Sequence, residues 1–226
     1  MCLRLQRQER DVVVIGDDKM SADMNEPRIP SWLWRIVLKS STDNIGERGT
    51  RTVLRRSGLE HYSGVTPKDD DTPSVSVNEF SQYIQALFDI FGENGARSIL
   101  LRAGKIGFTF AYDRMPPTIK VASKMLRILP EKKRLVTVVS EFSKAFNETL
   151  STVGSVTEEE GKVVVEIPDC PYCRGFSTET PACYVEIGLL SQLIEAALGS
   201  GYTVKETKCV ATGDPVCRFE IEKSHG

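Results

Sequence analysis

The last quarter of the chain holds the feature that most constrains its fold, a cluster of cysteines. Five of the six cysteines in this 226-residue sequence lie between Asp169 and Lys223. A Cys-Pro-Tyr-Cys motif comes first, a lone cysteine follows, and the last two flank a Gly-Asp-Pro turn sequence. Cysteines at such short spacings are typical of a metal site. The five residues are Cys170, Cys173, Cys183, Cys209 and Cys217.

Local structure predicted around these cysteines brings three of them together. Helical spacing of apolar residues predicts a helix that begins just after Cys183. Alternating side chains predict two strands, 202–208 and 218–222, joined by the Gly-Asp-Pro turn. This hairpin would place Cys209 next to Cys217, and the start of the helix would bring Cys183 to the same place.

Spacing alone leaves several uses of the cysteines open. The Cys-Pro-Tyr-Cys pair, Cys170 and Cys173, could join the two hairpin cysteines in a four-cysteine zinc site. The same pair could act as a redox dithiol, or four of the five could hold an iron–sulfur cluster. Buried free thiols that bind nothing are the simplest alternative.

Three stretches of the sequence resemble a known family, the 4-vinyl reductase-type small-molecule-binding domain. This domain is also the sensory part of phenol- and xylene-responsive transcriptional activators. The resemblance is carried by residues 181–188, 206–209 and 213–219, and it is strong over about 165–222 and weaker over about 30–160.

The resemblance also implies a metal and its ligands. In the phenol sensors, zinc is held by three cysteines and one glutamate. Their order and spacing correspond here to Cys183, Glu206, Cys209 and Cys217. We therefore expect zinc as the cofactor, held by these four residues, with Cys170 and Cys173 as an alternative metal or redox pair.

The fold that the resemblance implies is α+β, an antiparallel sheet packed by helices. It is related to the ligand-binding domain of nitric-oxide sensors and to vesicle-tethering subunits. Members are typically dimers with a buried apolar cavity, so we expect a homodimer that binds a small hydrophobic or aromatic ligand. Residues 1–28 are expected to form a flexible tail, and 29–226 a single domain with a helical half (about 29–150) and a zinc-bearing sheet half (about 151–223).

The helical half supplies candidate ligand-binding residues. Residues 106–112 alternate in character and predict a strand that carries three aromatic side chains on one face. Aromatic residues at such positions would line an apolar cavity, or would simply form an ordinary sheet core. The predicted ligand-binding set is Trp32, Phe108, Phe110, Tyr112, Phe176 and Tyr184.

The helical half also contains an internal repeat. Residues 43–58 and 89–104 are identical at eight of sixteen positions. The pattern predicts a pair of similar helical units, each ending on a glycine where helices pack closely.

Composition narrows the class of protein. The formal net charge is −2 and 40% of residues are hydrophobic, which is ordinary for a globular protein. We expect no direct binding of nucleic acid, because no net positive charge attracts it. No apolar run approaches the ~20 residues of a membrane span, and no signal peptide is evident. A cytoplasmic location follows as an expectation, and thiols kept reduced there favour metal over disulfide.

The sequence favours a binding module over an enzyme, because no recognised catalytic motif is present. No ATPase or helix-turn-helix sequence follows the hairpin, so we expect a ligand-binding or sensing module without its own DNA-binding or ATPase domain. Two alternatives stay open. One is a redox enzyme or accessory protein related to vinyl reduction in tetrapyrrole pigment synthesis, and the other is a structural dimeric scaffold.

Overall fold

The computed structural model describes residues 27–115, 117, 118, 120 and 126–224. Most of the expected N-terminal tail therefore lies outside the described residues. No helix within the described part is both long enough and apolar enough to cross a bilayer. In chain order the elements are β1 (Arg28–Pro30), α1 (Ser31–Arg56), β2 (Pro73–Ser76), α2 (Val77–Arg114), α3 (Glu131–Leu150), β3 (Ser155–Glu159), β4 (Lys162–Pro168), α4 (Tyr184–Leu198), β5 (Tyr202–Lys208) and β6 (Val216–Lys223).

A four-stranded antiparallel sheet forms the second half of the chain, with strand order β3-β4-β6-β5. The two strands predicted around the Gly-Asp-Pro turn are confirmed as β5 and β6. Val165 and Ile167 of β4 and Phe219 and Ile221 of β6 are buried at 1% exposure or less. Helices α3 and α4 pack against this sheet, and the predicted α+β class is confirmed.

The sequence repeat corresponds to a repeated bend. Helix α1 is interrupted at Gly46 (φ 71°, ψ 169°) and helix α2 at Gly92 (φ 65°, ψ −179°). The two glycines occupy equivalent positions in the two copies of the repeat. Both have a positive φ, which residues with a Cβ rarely adopt. Each long helix therefore bends near the first residues of the repeat copy that it contains.

The strand predicted for residues 106–112 is wrong, because these residues continue helix α2. Their aromatic content favours a strand locally. Contacts with another helix favour a helix here instead. Helix α2 lies against α4 along this stretch, with Gly107 close to the side chain of Leu189. Phe108 and Tyr112 are four residues apart and stack on each other (ring centroids 5.9 Å apart), whereas Phe110 stacks on Trp32 of α1. The three aromatic residues thus do not share one face.

Helices α2 and α4 cross at two glycines. A Cβ placed on Gly104 would lie 2.1 Å from the carbonyl oxygen of Val185, and one placed on Gly188 would lie 2.3 Å from that of Leu101. Only glycine permits backbones to approach this closely. The crossing ties the helical half to the segment that carries Cys183.

Helix α2 begins with a capping box. The Oγ of Ser76 accepts a hydrogen bond from the Glu79 backbone N–H at 3.1 Å, and the Glu79 carboxylate accepts one from the Ser76 N–H at 2.8 Å. Ser76 is therefore the N-cap of α2.

We expect Ser76→Ala to lower the free energy of unfolding by about 1 kcal/mol, because it leaves a helix N–H without its partner. Urea denaturation followed by circular dichroism measures this change. Ser74→Ala is the matched control, since Ser74 accepts from Arg28 through its carbonyl rather than its side chain. Equal stabilities of the two variants would contradict the role of the cap.

Candidate metal centre

Five buried cysteines converge at one end of the sheet. The exposed fraction of each is between 0% and 2%. The Sγ atoms of Cys170 and Cys183 lie 3.6 Å apart, those of Cys173 and Cys209 lie 3.6 Å apart, and those of Cys209 and Cys217 lie 3.9 Å apart. All five are free thiols rather than disulfides. The buried cysteines form a cluster that could hold a metal ion.

Two groups of four ligand atoms lie within this cluster. In each group the four atoms are all within 4.8 Å of one another. Cys173 and Cys217 belong to both groups. The first group is completed by Cys170 and Cys183, and the second by Glu206 and Cys209.

The Cys-Pro-Tyr-Cys motif forms a turn directly after strand β4. The backbone N–H groups of Cys173 and Arg174 both donate to the carbonyl of Cys170, at 3.1 and 2.9 Å. This turn places both cysteine side chains in the cluster. Cys183 joins them from the first position before helix α4, as the sequence predicted.

The β5–β6 hairpin supplies the remaining ligand atoms. Pairing between the two strands shifts register between Glu206 and Lys208, and such irregularities re-aim side chains near sites. Glu206 is 7% exposed although β5 lies at an edge of the sheet. Beyond β5, the carboxylate of Asp214 accepts from the Cys209 N–H at 2.9 Å and from the Thr212 hydroxyl at 3.0 Å. These contacts fix the turn that carries Cys209.

Glu206 has an incomplete set of partners. Its Oε2 accepts a hydrogen bond from the Cys183 N–H at 2.8 Å, while its Oε1 is buried without a hydrogen-bond partner. Burial, together with the nearby charges of Cys209 and Cys217, raises the pKa of Glu206 to about 10. A bound cation would reverse this shift, because it would stabilise the carboxylate.

The thiols shift one another's pKa. Burial raises the pKa of Cys173 and of Cys183. Burial also acts to raise the pKa of Cys170, but hydrogen bonds from Cys173 and Cys183 outweigh it and lower that pKa. A cation bound by these sulfurs would displace their protons, because a thiol binds metal in its deprotonated form.

Glu186 is a buried acid that the sequence interpretation missed. It is 1% exposed, and its Oε2 has no hydrogen-bond partner. Burial, together with the charges of Cys217 and Glu206, raises its pKa to about 8. In the sequence, its nearness to the cluster was indicated by its position three residues after Cys183, in the first turn of α4.

The predicted zinc ligands are distributed over both groups. Cys183 belongs to the first group, Glu206 and Cys209 to the second, and Cys217 to both. The alternative pair is part of the same cluster rather than a separate site, because Cys170 lies in the first group and Cys173 in both.

The predicted ligand-binding aromatic residues lie in three places. Trp32 and Phe110 stack with ring centroids 5.3 Å apart, and the Arg114 guanidinium lies 3.6 Å from the Phe110 ring centroid. Phe108 and Tyr112 form a second stack, described above. Phe176 and Tyr184 are linked through a shared neighbour, Phe88, at 5.9 and 6.3 Å between centroids.

A cavity of about 430 Å³ lies beside helix α1 and the segment at residues 62–67. Its lining mixes apolar residues with charged ones, among them Arg35, Asp43 and Arg51. None of the six predicted ligand-binding residues lines it.

Comparison with protein families identifies the part of the chain that carries the cysteines. Residues 163–223, from strand β4 to the end of β6, match the model of the V4R domain. This segment, hereafter the V4R domain, is similar to that family. The resemblance inferred from the sequence is confirmed, and the V4R domain includes both groups of ligand atoms.

Two curated proteins are similar over different lengths. An uncharacterized protein of Methanocaldococcus jannaschii, MJ0745, is 33% identical over 84 residues, which cover 37% of this chain and 45% of that protein. The match thus spans less than half of the length of that relative. The bacteriochlorophyll synthase 23 kDa chain of Cereibacter sphaeroides is 27% identical over 160 residues, which cover 69% of this chain and 72% of that protein.

Similarity to solved structures extends beyond the V4R domain. An H-NOX protein from S. oneidensis, solved in the Fe(II)NO ligation state, aligns with a TM-score of 0.54 at 13% identity. The alignment covers 87% of this chain and 100% of that chain. The helical half and the V4R domain together therefore have an H-NOX-like arrangement.

Proposed function

We propose that this chain is a zinc-stabilised module that binds a small hydrophobic or aromatic molecule. The observation that carries the proposal is the burial of five thiols and the Glu206 carboxylate in one cluster of the V4R domain. Neutral thiols are readily buried, but the Glu206 carboxylate, whose Oε1 is buried without a partner, is costly to bury unless it is neutralised, as a bound cation would do. The predicted quartet Cys183, Glu206, Cys209 and Cys217 is our first assignment for the ligands.

The residues in the cluster fit zinc. A Zn–S bond of about 2.3 Å places neighbouring sulfurs of a tetrahedral site about 3.8 Å apart. The closest sulfur pairs here are 3.6 to 3.9 Å apart. The buried, unpartnered Oε1 of Glu206 supplies an oxygen ligand without breaking its hydrogen bond to Cys183. Bound zinc would supply structural cross-linking, because four protein ligands leave no position for a catalytic water.

Tyr172 links the Cys-Pro-Tyr-Cys turn, residues 170–173 and here called the metal loop, to the helical half. It lies inside the Cys-Pro-Tyr-Cys motif, is 2% exposed, and contacts Phe80 of α2 and Phe146 of α3 at 5.9 and 5.8 Å between ring centroids. From Phe146 the ring contacts continue through Phe142 to Phe108, at 6.2 and 6.3 Å. A change at Phe108 would thus reach the metal loop through directly contacting rings.

The ligand would bind among the aromatic residues of α2 and its neighbours. The rings of Trp32 and Phe110, and those of Phe108 and Tyr112, contact each other directly. A ligand that enters between them has to part them, which would shift the helices between two arrangements. Binding would thereby be transmitted to a partner protein.

We expect a small aromatic probe such as phenol to raise the melting temperature of the purified protein. A ligand at about 100 times its dissociation constant stabilises a protein by about 2.7 kcal/mol. For a chain of this size that corresponds to a shift of about 5 to 10 °C. Differential scanning calorimetry with a series of phenols and alkylbenzenes measures the shift.

Two variants make this test specific. Phe108→Ala should abolish the shift, because Phe108 lies in the predicted ligand-binding set. Phe91→Ala is the control, since it removes a partly buried aromatic ring of the same helix that lies outside the set. If no compound in the series shifts the wild type, or if both variants respond like the wild type, the proposed binding function is wrong.

A role in tetrapyrrole pigment synthesis is the second candidate. The similarity to the bacteriochlorophyll synthase 23 kDa chain, which covers 69% of this chain, favours it. In that case the Cys170 and Cys173 thiols would serve electron transfer. An iron–sulfur cluster attaches its cysteines to different irons, whereas the four ligand atoms of each group here lie within 4.8 Å of one another, close enough to bind a single ion. A colourless zinc protein would support the binding module, and a brown or Soret-absorbing protein would support the second candidate.

The proposal includes a homodimer, as the resemblance to the 4-vinyl reductase-type family implies. Native mass spectrometry tests it directly, because the chain has a mass of 25.1 kDa. A species at twice that mass at micromolar concentration is the expected result, and a monomer throughout would overturn this part of the proposal.

A further inference from the structure

The two groups of ligand atoms have two sulfur atoms in common. Cys173 and Cys217 are the only residues common to both. Cys170 and Cys183 complete a set of four on one side of the shared pair, and Glu206 and Cys209 complete a set on the other. Each set by itself has the number of donors that a tetrahedral ion needs.

This arrangement suits two ions better than one. A thiolate sulfur keeps lone pairs after binding one cation, and as a soft ligand it favours ions such as zinc. We propose that the V4R domain holds two divalent metal ions, with the sulfurs of Cys173 and Cys217 bridging them. This inference rests on the metal site proposed above and extends it from one ion to two.

Counting donors supports the pair. A single four-coordinate ion leaves two of the six donors unused, whichever group it occupies. An ion bound by the first group leaves Glu206 unused, and the buried Oε1 of Glu206 has no partner. An ion bound by the second group leaves the buried thiols of Cys170 and Cys183 unused, 3.6 Å apart. Two ions give every donor in the cluster a role.

The formal charge of a two-ion centre is also no larger than that of a one-ion site. Five thiolates and one carboxylate with two divalent cations leave a formal charge of about −2 on the centre. That is the charge of a one-ion site with three thiolates and one carboxylate. Arg218, which follows Cys217 in sequence, forms ion pairs with Glu159 and Glu166 at 2.6 and 2.9 Å, so its charge is already matched. The Val210 N–H donates to the Cys217 sulfur at 3.3 Å and stabilises a bridging thiolate.

Metal stoichiometry tests the inference on the full chain. Native mass spectrometry of protein reconstituted with zinc should give two ions per chain. Reconstitution with cadmium-113 should give two nuclear magnetic resonance signals that are coupled to each other, because the two ions share sulfur ligands. One ion per chain, or two uncoupled signals, would overturn the shared-ligand centre.

Cys170→Ala separates the two-ion site from the one-ion site. Cys170 belongs only to the first group, so the variant should fall from two ions to one. With the predicted quartet as a one-ion site, the same variant would keep its single ion. Ile167→Val is the control, since it removes one buried methylene of β4 and no ligand atom, and it should keep two.

The outcomes also distinguish this inference from the proposed function. One ion in both the wild type and Cys170→Ala overturns the two-ion centre and leaves the zinc-stabilised module in place. No bound metal in any of the proteins overturns both. Two ions in Cys170→Ala would contradict the assignment of Cys170 as a ligand. The wild-type cadmium spectrum decides the question even if the variant fails to fold.

Discussion

We expect the Cys217→Ser variant to lose its bound metal and to unfold at a much lower temperature than the wild type. Cys217 belongs to both groups of ligand atoms, so its loss affects every assignment of the site. Structural zinc contributes about 10 to 16 kcal/mol of apparent free energy in small zinc-finger peptides. That is comparable with the whole stability of a typical domain, about 5 to 15 kcal/mol. Metal analysis and thermal melts, each with and without a chelator, measure the two effects.

Ile221→Val provides the comparison for Cys217→Ser. Ile221 lies on the same strand and is also fully buried. Removing its methylene should cost about 0.5 to 1.5 kcal/mol and no metal. A Cys217→Ser protein that retains all its metal and melts like Ile221→Val would contradict a structural metal site.

Gly104→Ala should destabilise the fold by about 3 kcal/mol or more, at the upper end of what overpacking costs. The added Cβ would lie 2.1 Å from the Val185 carbonyl oxygen and 2.9 Å from the Gly188 Cα. Both are backbone atoms of helix α4, so no side chain can move aside and the helices must separate. Urea denaturation measures the loss.

Gly107→Ala is the matched control for this substitution. It lies one turn further along helix α2, where a Cβ would meet the Leu189 side chain at an ordinary 3.5 Å. Alanine is favoured over glycine in a helix by about 1 kcal/mol, so this variant should be as stable as the wild type or slightly more stable. Equal losses for the two variants would show that the close crossing of α2 and α4 is wrong.

Local patterns in the sequence predicted those elements whose packing follows local rules. Strand β5 has the predicted bounds, and β6 includes the whole of the predicted strand 218–222. For the segment from 106 to 112, the alternation of its side chains predicts a strand. It is helical in the structure, where it continues α2 beyond the close crossing of α2 and α4 at Gly104. That contact joins residues far apart in sequence, and no local pattern contains it.

The candidate site was predictable in its residues but not in its grouping. Helix start and hairpin predict that Cys183, Cys209 and Cys217 lie together, and the family resemblance adds Glu206. The structure brings Cys170 and Cys173 into the same cluster. Sequence spacing does not give the distances between sulfurs, so it could not indicate that Cys173 and Cys217 are each close to two sets of partners. Glu186 was missed because a buried acid in the first turn of a helix resembles an ordinary solvent-exposed one in the sequence.

The most direct test of a thiolate metal centre is zinc X-ray absorption spectroscopy on the full-length chain, purified without added metal. The account predicts tightly bound zinc with a first shell that is mostly sulfur at about 2.3 Å and includes one oxygen. A folded, metal-free protein whose melting temperature is unchanged by chelators or by added zinc would contradict it.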